Sequence, residues 1–176
     1  MKKIYIVLTH TGTTLSKIIK MYTRAEFSHI SISLDEELTR MYSFGRLNPY
    51  NPFCGGFVHE YIGKGTFKRF KNTWTSVYYM DVTDEQYEIV EKNIQKMQEE
   101  REKYKFNIIG LIAVVFNIKI RLRHSFYCAE FVKYLMERAK INNELPKIVK
   151  PEDFKKIPGL EQLYIGLLRE YKVRCY

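Results

Sequence analysis

Cys128 occupies a place in the sequence where a nucleophile would be useful. Residues 125–132 (SFYCAEFV) begin with a serine, a favoured helix N-cap, and the apolar residues that follow recur at helical spacing: Phe131, Val132, Leu135, Met136 and Ala139. Unpaired N–H groups in the first helical turn favour a thiolate, the form of cysteine that attacks carbonyl carbon. Two interpretations stay open at this point, a nucleophile or a small buried hydrophobe that opens an amphipathic helix.

A cysteine nucleophile needs a base, and the chain has four histidines. His29 lies on the polar face of a predicted strand over residues 27–34, in which every second residue is apolar. His124 precedes the predicted N-cap and is expected to point outward, whereas His10 ends a strand and His59 lies in a poorly defined stretch. His29 is therefore the preferred base, and an ordinary strand histidine with a structural hydrogen bond is the alternative.

Other kinds of site have little support. The chain has no CxxC, HxxxH or HExxH motif, so neither a metal nor another cofactor is predicted. Residues 63–66 (GKGT) lack the upstream glycine spacing of a phosphate-binding loop, and no pair of carboxylates suggests glycoside chemistry.

The composition indicates an ordinary globular protein. Hydrophobic residues make up 45% of the 176 and charged residues 28%, and we find no repeat, linker or low-complexity tract, which predicts one domain over 1–176. Three cysteines without paired spacing favour a reducing compartment. The apolar stretches are too short for a signal peptide or a membrane span, so the expected location is the cytoplasm.

The net charge of +9 allows several partners. Its cations concentrate in three groups: Lys68, Arg69 and Lys71; Lys119, Arg121 and Arg123; and Lys147, Lys150, Lys155 and Lys156. A solvated surface is the first interpretation and an anionic substrate or lipid surface the second. Specific nucleic-acid binding is not predicted, because no known motif surrounds these groups.

The elements that must position Cys128 and His29 alternate between strands and helices. Strands are predicted at 4–8, 27–34, 38–44, 57–62, 73–80 and 163–171. Helices are predicted at 15–22, at 84–104 after a Thr83–Gln86 capping box, from Cys128 to about residue 140, and as one turn after Pro151. Residues 45–56 hold too many prolines and glycines for regular structure, and 106–118 is either a buried helix or an apolar lining. The fold class is α+β.

Two segments resemble a known family. FSHISIS at 27–33, followed much later by FYCAEFV at 126–132, is similar to the circularly permuted papain-like hydrolases, the YiiX-like branch of the NlpC superfamily related to lecithin–retinol acyltransferase. In that family the histidine strand precedes the cysteine helix. The opening strand and helix, the KPED turn at 150–153 and the closing strand also look like this branch, so the resemblance covers most of the chain. It implies a catalytic Cys128–His29 pair.

The third catalytic residue is where the chain departs from the pattern. The family usually has a Glu or His on the strand after the histidine strand, but residues 38–44 (LTRMYSF) contain neither. Ser43 and Tyr42 are the positional matches and are preferred here. Glu60, or with less support His59, is the alternative from the following strand.

The resemblance implies acyl transfer through a thioester on Cys128, with small peptides, other amides or lipid-like esters as substrates. The Cys128 N–H would serve as one oxyanion donor, and a second is expected around residues 9–11. Four aromatic residues are expected to be exposed, and they either line a groove for an apolar substrate or simply pack the loop: Tyr42, Phe44, Tyr50 and Phe53. A catalytically inactive basic module that binds an anionic ligand or membrane surface is the competing hypothesis.

Overall fold

A computed structural model of the protein describes residues 1–12, 26–120 and 122–172. In that part of the chain the strands are β1 Lys2–His10, β2 His29–Ser33, β3 Met41–Asn48, β4 Asn51–Glu60, β5 Trp74–Val82, β6 Lys105–Phe106, β7 Ser125–Phe126 and β8 Glu161–Leu167. The α-helices are α1 Gly65–Arg69, α2 Asp84–Glu99, α3 Ile108–Val115 and α4 Cys128–Arg138. The fold is therefore α+β, as predicted. The helix predicted at 15–22 lies outside the described residues.

All eight strands belong to one sheet, in the order β7-β6-β4-β3-β2-β1-β5-β8. Neighbouring strands are antiparallel except for β6 and β7, which are parallel. β1 lies inside the sheet, paired along its length with β5 and on its other side with β2. Its apolar run, Ile4 to Leu8, is buried throughout, which is the pattern expected of a strand covered on both faces.

Hydrophobic clusters cover the sheet on both sides. The larger cluster joins strand residues such as Ile6 and Ile32 to the apolar faces of α2 and α4. The smaller cluster covers the opposite face and contains Tyr5, Val7, Leu38, Met41, Phe67, Val77, Leu168 and Tyr171. Ser31 and Ser33, on the face of β2 that was predicted to be polar and outward, are consequently fully buried. The alternation identified the strand correctly but not its second covered face.

The glycine-rich connection predicted to be irregular forms a hairpin instead. β3 continues to Asn48 and β4 begins at Asn51, with a bulge after Arg46. The glycines fit because the strands approach their neighbours closely. A Cβ on Gly55 would lie 2.8 Å from the Cβ of Phe106 on the adjoining segment.

Helix α2 matches its prediction closely. The Thr83 hydroxyl accepts the Gln86 N–H and the Gln86 side chain accepts the Thr83 N–H, which forms the expected capping box. The predicted apolar stripe is buried: Tyr87, Val90, Ile94 and Met97. This stripe joins α2 to the cluster that also holds α4.

Helix α4 begins at Cys128, but Ser125 is not its cap. Ser125 and Phe126 form β7, which pairs with Lys105 and Phe106 of β6 and is held extended by that pairing. The N-cap residue is Tyr127, whose side chain makes no capping bond. Its hydroxyl instead donates to the Val149 carbonyl at 3.2 Å. The prediction of an N-cap failed because serine also fits an extended segment.

The last elements of the chain confirm one prediction, whereas the closing strand ends earlier than predicted. A 3-10 helix runs from Pro151 to Lys156 with proline in its first turn, as predicted. The closing strand ends at Leu167, and Leu168–Glu170 forms another 3-10 turn, in which Leu168 packs into the smaller cluster. None of the helices in the described ranges has the length and apolarity needed to cross a membrane.

Candidate active site

The His29 ring lies between a thiol and a carboxylate. Its Nε2 is 3.0 Å from Glu60 Oε1, and the Cys128 side chain is among the groups that raise the pKa of the ring. The His29 and Glu60 side chains are 20% and 9% exposed, and Cys128 is 3% exposed. The three groups therefore interact where water screens their charges weakly.

Each of these groups stands at the end of an element. His29 is the first residue of β2, Glu60 is the last of β4, and Cys128 is the first of α4, which packs against β2 and β3. The N–H of the first residue in a helix has no partner inside that helix. The Cys128 N–H is thus a suitable oxyanion donor beside the sulfur.

Gly45 lets the histidine and the carboxylate meet although β3 lies between their strands. A Cβ built on Gly45 would stand 3.4 Å from His29 Cε1 and 3.7 Å from Glu60 Oε1. The ring and the carboxylate thus share the space above this residue. A longer side chain at position 45 would occupy that space.

Ser31 completes the contacts of Glu60. Its hydroxyl donates to Glu60 Oε2 and lies 3.5 Å from His29 Nε2. One carboxylate oxygen therefore faces the imidazole while the other is held by the serine. Ser31 was not among the predicted site residues. Its spacing of two residues from His29, on the same strand face, was the available signal.

Opposing effects act on the pKa of His29. Burial lowers it, but the negative charge of Glu60 and the hydrogen bond and charge of Cys128 outweigh burial and raise it to about 10. The ring consequently holds a proton at neutral pH.

Ser43 and Tyr42, which the sequence analysis preferred as partners of His29, contact other groups. The buried Ser43 hydroxyl donates to the Ile30 carbonyl at 2.7 Å. The Tyr42 ring points to the other face of β3 and stacks on Phe57, with 5.9 Å between ring centroids. The contact with His29 that was predicted for Ser43 or Tyr42 is made by Glu60 instead. The Glu60 carboxylate reaches across Gly45 from the next strand.

The other histidines lie in different surroundings. His59 Nε2 is 2.7 Å from the Thr39 carbonyl oxygen, and its ring stacks with Tyr61. His124 is exposed with a φ of 55°, and His10 Nδ1 is 3.4 Å from the Ser28 hydroxyl.

The four aromatic residues that were expected to be exposed do not form one groove. Tyr42 and Phe44 are buried in the larger cluster, where they contribute to packing. Tyr50 is 77% exposed. The side chain of Phe53 is outside the described part of the structure.

Thr9 is a second polar group at this end of the sheet. It stands directly opposite His29 in the β1–β2 ladder and is completely buried. Its hydroxyl has no hydrogen-bond partner within the described residues. A buried hydroxyl without a partner is costly, so one that faces a reaction site is a reasonable donor to a bound group. Thr9 lies in the 9–11 stretch where a second oxyanion donor was expected.

No metal cluster accompanies this site. Within residues 1–12, 26–120 and 122–172, no three His, Cys, Asp or Glu side chains are arranged to hold a metal ion. Comparisons with protein-family models, curated proteins and solved structures found no match. The chemistry of the site is therefore inferred from the arrangement of Cys128, His29 and Glu60 itself.

Proposed function

We propose that the protein is a cysteine-dependent hydrolase that transfers acyl groups through a thioester on Cys128. One arrangement carries this proposal: His29, the first residue of β2, is paired with the Glu60 carboxylate, and Cys128 begins the helix that packs on β2 and helps to raise the pKa of the ring. A nucleophile, a base and a group that orients the base are the components of a catalytic triad.

In the first half of the reaction the Cys128 sulfur attacks the carbonyl carbon of an amide or ester. A C–S bond forms, and the carbonyl oxygen becomes an oxyanion that accepts the Cys128 N–H. The carbon–nitrogen or carbon–oxygen bond then breaks. The proton on His29 passes to the departing amine or alcohol, leaving a thioester and a neutral imidazole.

In the second half, neutral His29 takes a proton from the acceptor as it attacks the thioester carbonyl. Water as acceptor releases a carboxylic acid and restores the thiolate beside the protonated ring. An alcohol or amine as acceptor gives an ester or amide instead. The Glu60 carboxylate is held by Ser31 as well as by the ring, so it orients His29 and faces its positive charge.

The arrangement of elements also supports the permuted papain-like relationship. The histidine opens a strand inside an antiparallel region of the sheet, and the cysteine opens a helix that packs on the same strand later in the chain. The acid comes from β4, one strand further than the family pattern suggested. Peptide amides and lipid-like esters remain the substrate classes proposed from that relationship.

Competition between cysteines for iodoacetamide tests the proposal. Cys54 is exposed and Cys128 is buried, so accessibility alone would make Cys54 react first. We expect Cys128 to be alkylated faster near neutral pH, at least about tenfold, because its sulfur is activated by His29. Mass spectrometry of tryptic peptides measures both rates in one sample, with Cys54 as the internal control.

The His29→Ala variant should lose the excess reactivity of Cys128 while Cys54 reacts as before. If Cys54 reacts first in the unmodified protein and His29→Ala changes neither rate, the nucleophile proposal is wrong. The inactive binding module would then be the better explanation of the fold.

A further inference from the structure

The segment after β6 exposes an unusual concentration of apolar side chains. Five large residues between positions 109 and 122 are about half exposed or more: Ile109 60%, Ile112 52%, Phe116 67%, Ile118 54% and Leu122 46%. We call these five residues the apolar ledge. Other exposed large hydrophobic residues of the described chain are scattered over distant elements, for example Leu47 on β3 and Ile165 on β8. Scattered residues need no explanation, but a contiguous patch does.

The ledge arises because helix α3 (IIGLIAVV) contains no polar side chain. Ala113 and Val114 face the protein and are 6% exposed. Ile109, Ile112 and Phe116 recur at i, i+3 and i+7 and form one outward stripe. The sequence pattern left open whether this segment was buried. In the structure, only one side of the helix is buried. The other side is apolar and uncovered within the described chain.

Hydrogen bonds hold the ledge in a defined shape. The Asn107 side chain, 1% exposed, accepts the Gly110 N–H at 2.8 Å and donates to the Ile120 carbonyl at 3.0 Å. After the helix, the Ile118 N–H donates to the Ala113 carbonyl at 2.9 Å. One buried amide therefore ties both ends of the segment together, and the apolar side chains are presented by ordered backbone.

The sequence segment that carries the ledge has charge of one sign. Residues 103–129 contain no aspartate or glutamate but five cations: Lys103, Lys105, Lys119, Arg121 and Arg123. Lys105 and Arg123 are exposed. The Lys119 ammonium donates to the Lys147 carbonyl at 3.0 Å, so the exposed Lys147 adjoins the same region. This segment alone accounts for more than half of the chain's net charge of +9.

We propose that the apolar ledge docks onto an anionic lipid bilayer. Isoleucine and phenylalanine side chains would enter the boundary between headgroups and acyl chains, and the flanking cations would pair with lipid phosphates and carboxylates. A nucleic acid would satisfy the cations but leave the isoleucines in water. A second copy of the chain would bring two positively charged ledges together, which charge repulsion disfavours. The bilayer satisfies both the apolar and the basic groups.

Docking in this way goes beyond the proposed function and does not depend on it. It would also place the start of α4 near the membrane, because only residues 123–127 separate the ledge from Cys128. Acyl groups at the bilayer surface would then be close to the sulfur.

Vesicle flotation of the full chain tests the docking surface. We expect binding to vesicles of phosphatidylcholine with phosphatidylserine and much weaker binding to phosphatidylcholine alone. Ile112→Asp should weaken binding to the anionic vesicles at least about tenfold, because it puts a charge in the inserted stripe. Ile165→Asp is the matched control, since Ile165 is 50% exposed on the edge strand β8, and it should bind as the unmodified protein does.

A second pair of variants tests the contribution of charge. Arg123→Gln should weaken binding about fivefold, and added salt should weaken binding of the unmodified protein. Lys68→Gln, an exposed cation on α1, should have little effect.

Equal binding of Ile112→Asp and Ile165→Asp would overturn the proposal, as would equal binding to neutral and anionic vesicles. Sedimentation equilibrium without lipid tests the remaining alternative, in which a second copy of the chain covers the ledge. A dimer that Ile112→Asp dissociates would assign the ledge to a second copy of the chain and would also overturn the proposal. Circular dichroism confirms that each variant is folded before it is scored.

Discussion

At the scale of single residues, the site depends on how His29 keeps its charge. A buried imidazole ordinarily loses its proton, yet here the Glu60 carboxylate and the Cys128 sulfur reverse that tendency. Glu60 in turn divides its two oxygens between His29 and Ser31. Glu60 and Ser31 therefore help to set the charge and orientation of the ring, and neither needs to touch a substrate.

Replacing Glu60 by glutamine tests the importance of that charge. Glu60→Gln keeps the shape and one hydrogen bond but removes the negative charge, so the pKa of His29 should fall toward or below its ordinary value. We expect the alkylation rate of Cys128 at neutral pH to drop at least about tenfold. An NMR titration of the His29 Cε1 proton measures the pKa in both proteins. Glu137→Gln, on the exposed side of α4, should change neither quantity; an unchanged pKa in Glu60→Gln would contradict the role given to Glu60.

Two buried serines differ in their partners: Ser31 donates to Glu60, and Ser43 donates to the Ile30 carbonyl. Ser31→Ala should reduce Cys128 reactivity because the Glu60 carboxylate loses its second anchor. Ser43→Ala should leave that reactivity unchanged and lower only the free energy of unfolding, by about 1 kcal/mol, since it removes a bond to the Ile30 carbonyl. Alkylation rates and urea denaturation of both variants provide the comparison. A loss of reactivity in Ser43→Ala would restore the residue that the sequence favoured.

The site could be predicted from the sequence only in part. Cys128 and His29 were recognisable because each carries a local signal, a helix start and a strand alternation. Glu60 was considered but ranked below Ser43 and Tyr42, since pattern alone ties a residue to its own strand and cannot show a side chain reaching across the next one. The absence of a side chain at Gly45 makes that reach possible, and only the sheet register reveals it.

At the scale of elements, the β3–β4 hairpin determines whether base and acid can meet. Its glycines looked like breakers in the sequence, because glycine is depleted in strands on average. In the structure they serve close approach: Gly55 accommodates β6, and Gly45 leaves space for the ring and the carboxylate. The same composition that misled the prediction of secondary structure is required by the site.

Adding a side chain at Gly45 should therefore affect chemistry more than folding. Gly45→Val places a branched group where His29 Cε1 and Glu60 Oε1 stand 3.4 and 3.7 Å from a Cβ. We expect Cys128 alkylation to slow about tenfold or more, with a smaller effect in Gly45→Ala, because misplaced catalytic groups lose rate steeply. Alkylation of Cys54 in the same sample is the control. If valine leaves the rate at Cys128 unchanged, the ring and the carboxylate do not need this space.

At the scale of the whole molecule, the sheet is covered on both faces, and this changes the meaning of its polar residues. The alternation in β2 predicted one solvent-exposed face, yet Ser31 and Ser33 are buried under the smaller cluster. That cluster includes the distant C-terminal residues Leu168 and Tyr171. Coverage by remote segments leaves no local mark in the sequence. The strand types were therefore predictable, whereas their surroundings were not.

The charge on His29 should also appear in the pH dependence of global stability. In the unfolded chain its pKa is near the ordinary value of 6.5, and in the folded protein it is about 10. Below pH 6.5 both states hold the proton and the stabilisation is complete. Between about pH 6.5 and 10 the folded state binds more protons than the unfolded state, so stability falls, with a slope of at most about 1.4 kcal/mol per pH unit for one proton.

Urea denaturation at several pH values measures this slope. Glu60→Gln should lose most of the stabilisation below pH 6.5 and should show a flatter profile up to pH 10. Because other titrating groups are common to both proteins, the difference between the profiles isolates the His29–Glu60 pair. Parallel profiles would mean that the pair does not keep His29 protonated.

The order of the site residues along the chain has a consequence for synthesis. His29 and Glu60 belong to strands that leave the ribosome early, next to a β1 that has already been made, while Cys128 comes only after β5 and α2. Domains begin to fold from their N-terminal parts during synthesis. The nascent sheet can thus pair His29 with Glu60 before Cys128 is made. Under the proposed function, the sulfur would meet its base only when α4 docks, so the unfinished chain would carry no activated nucleophile.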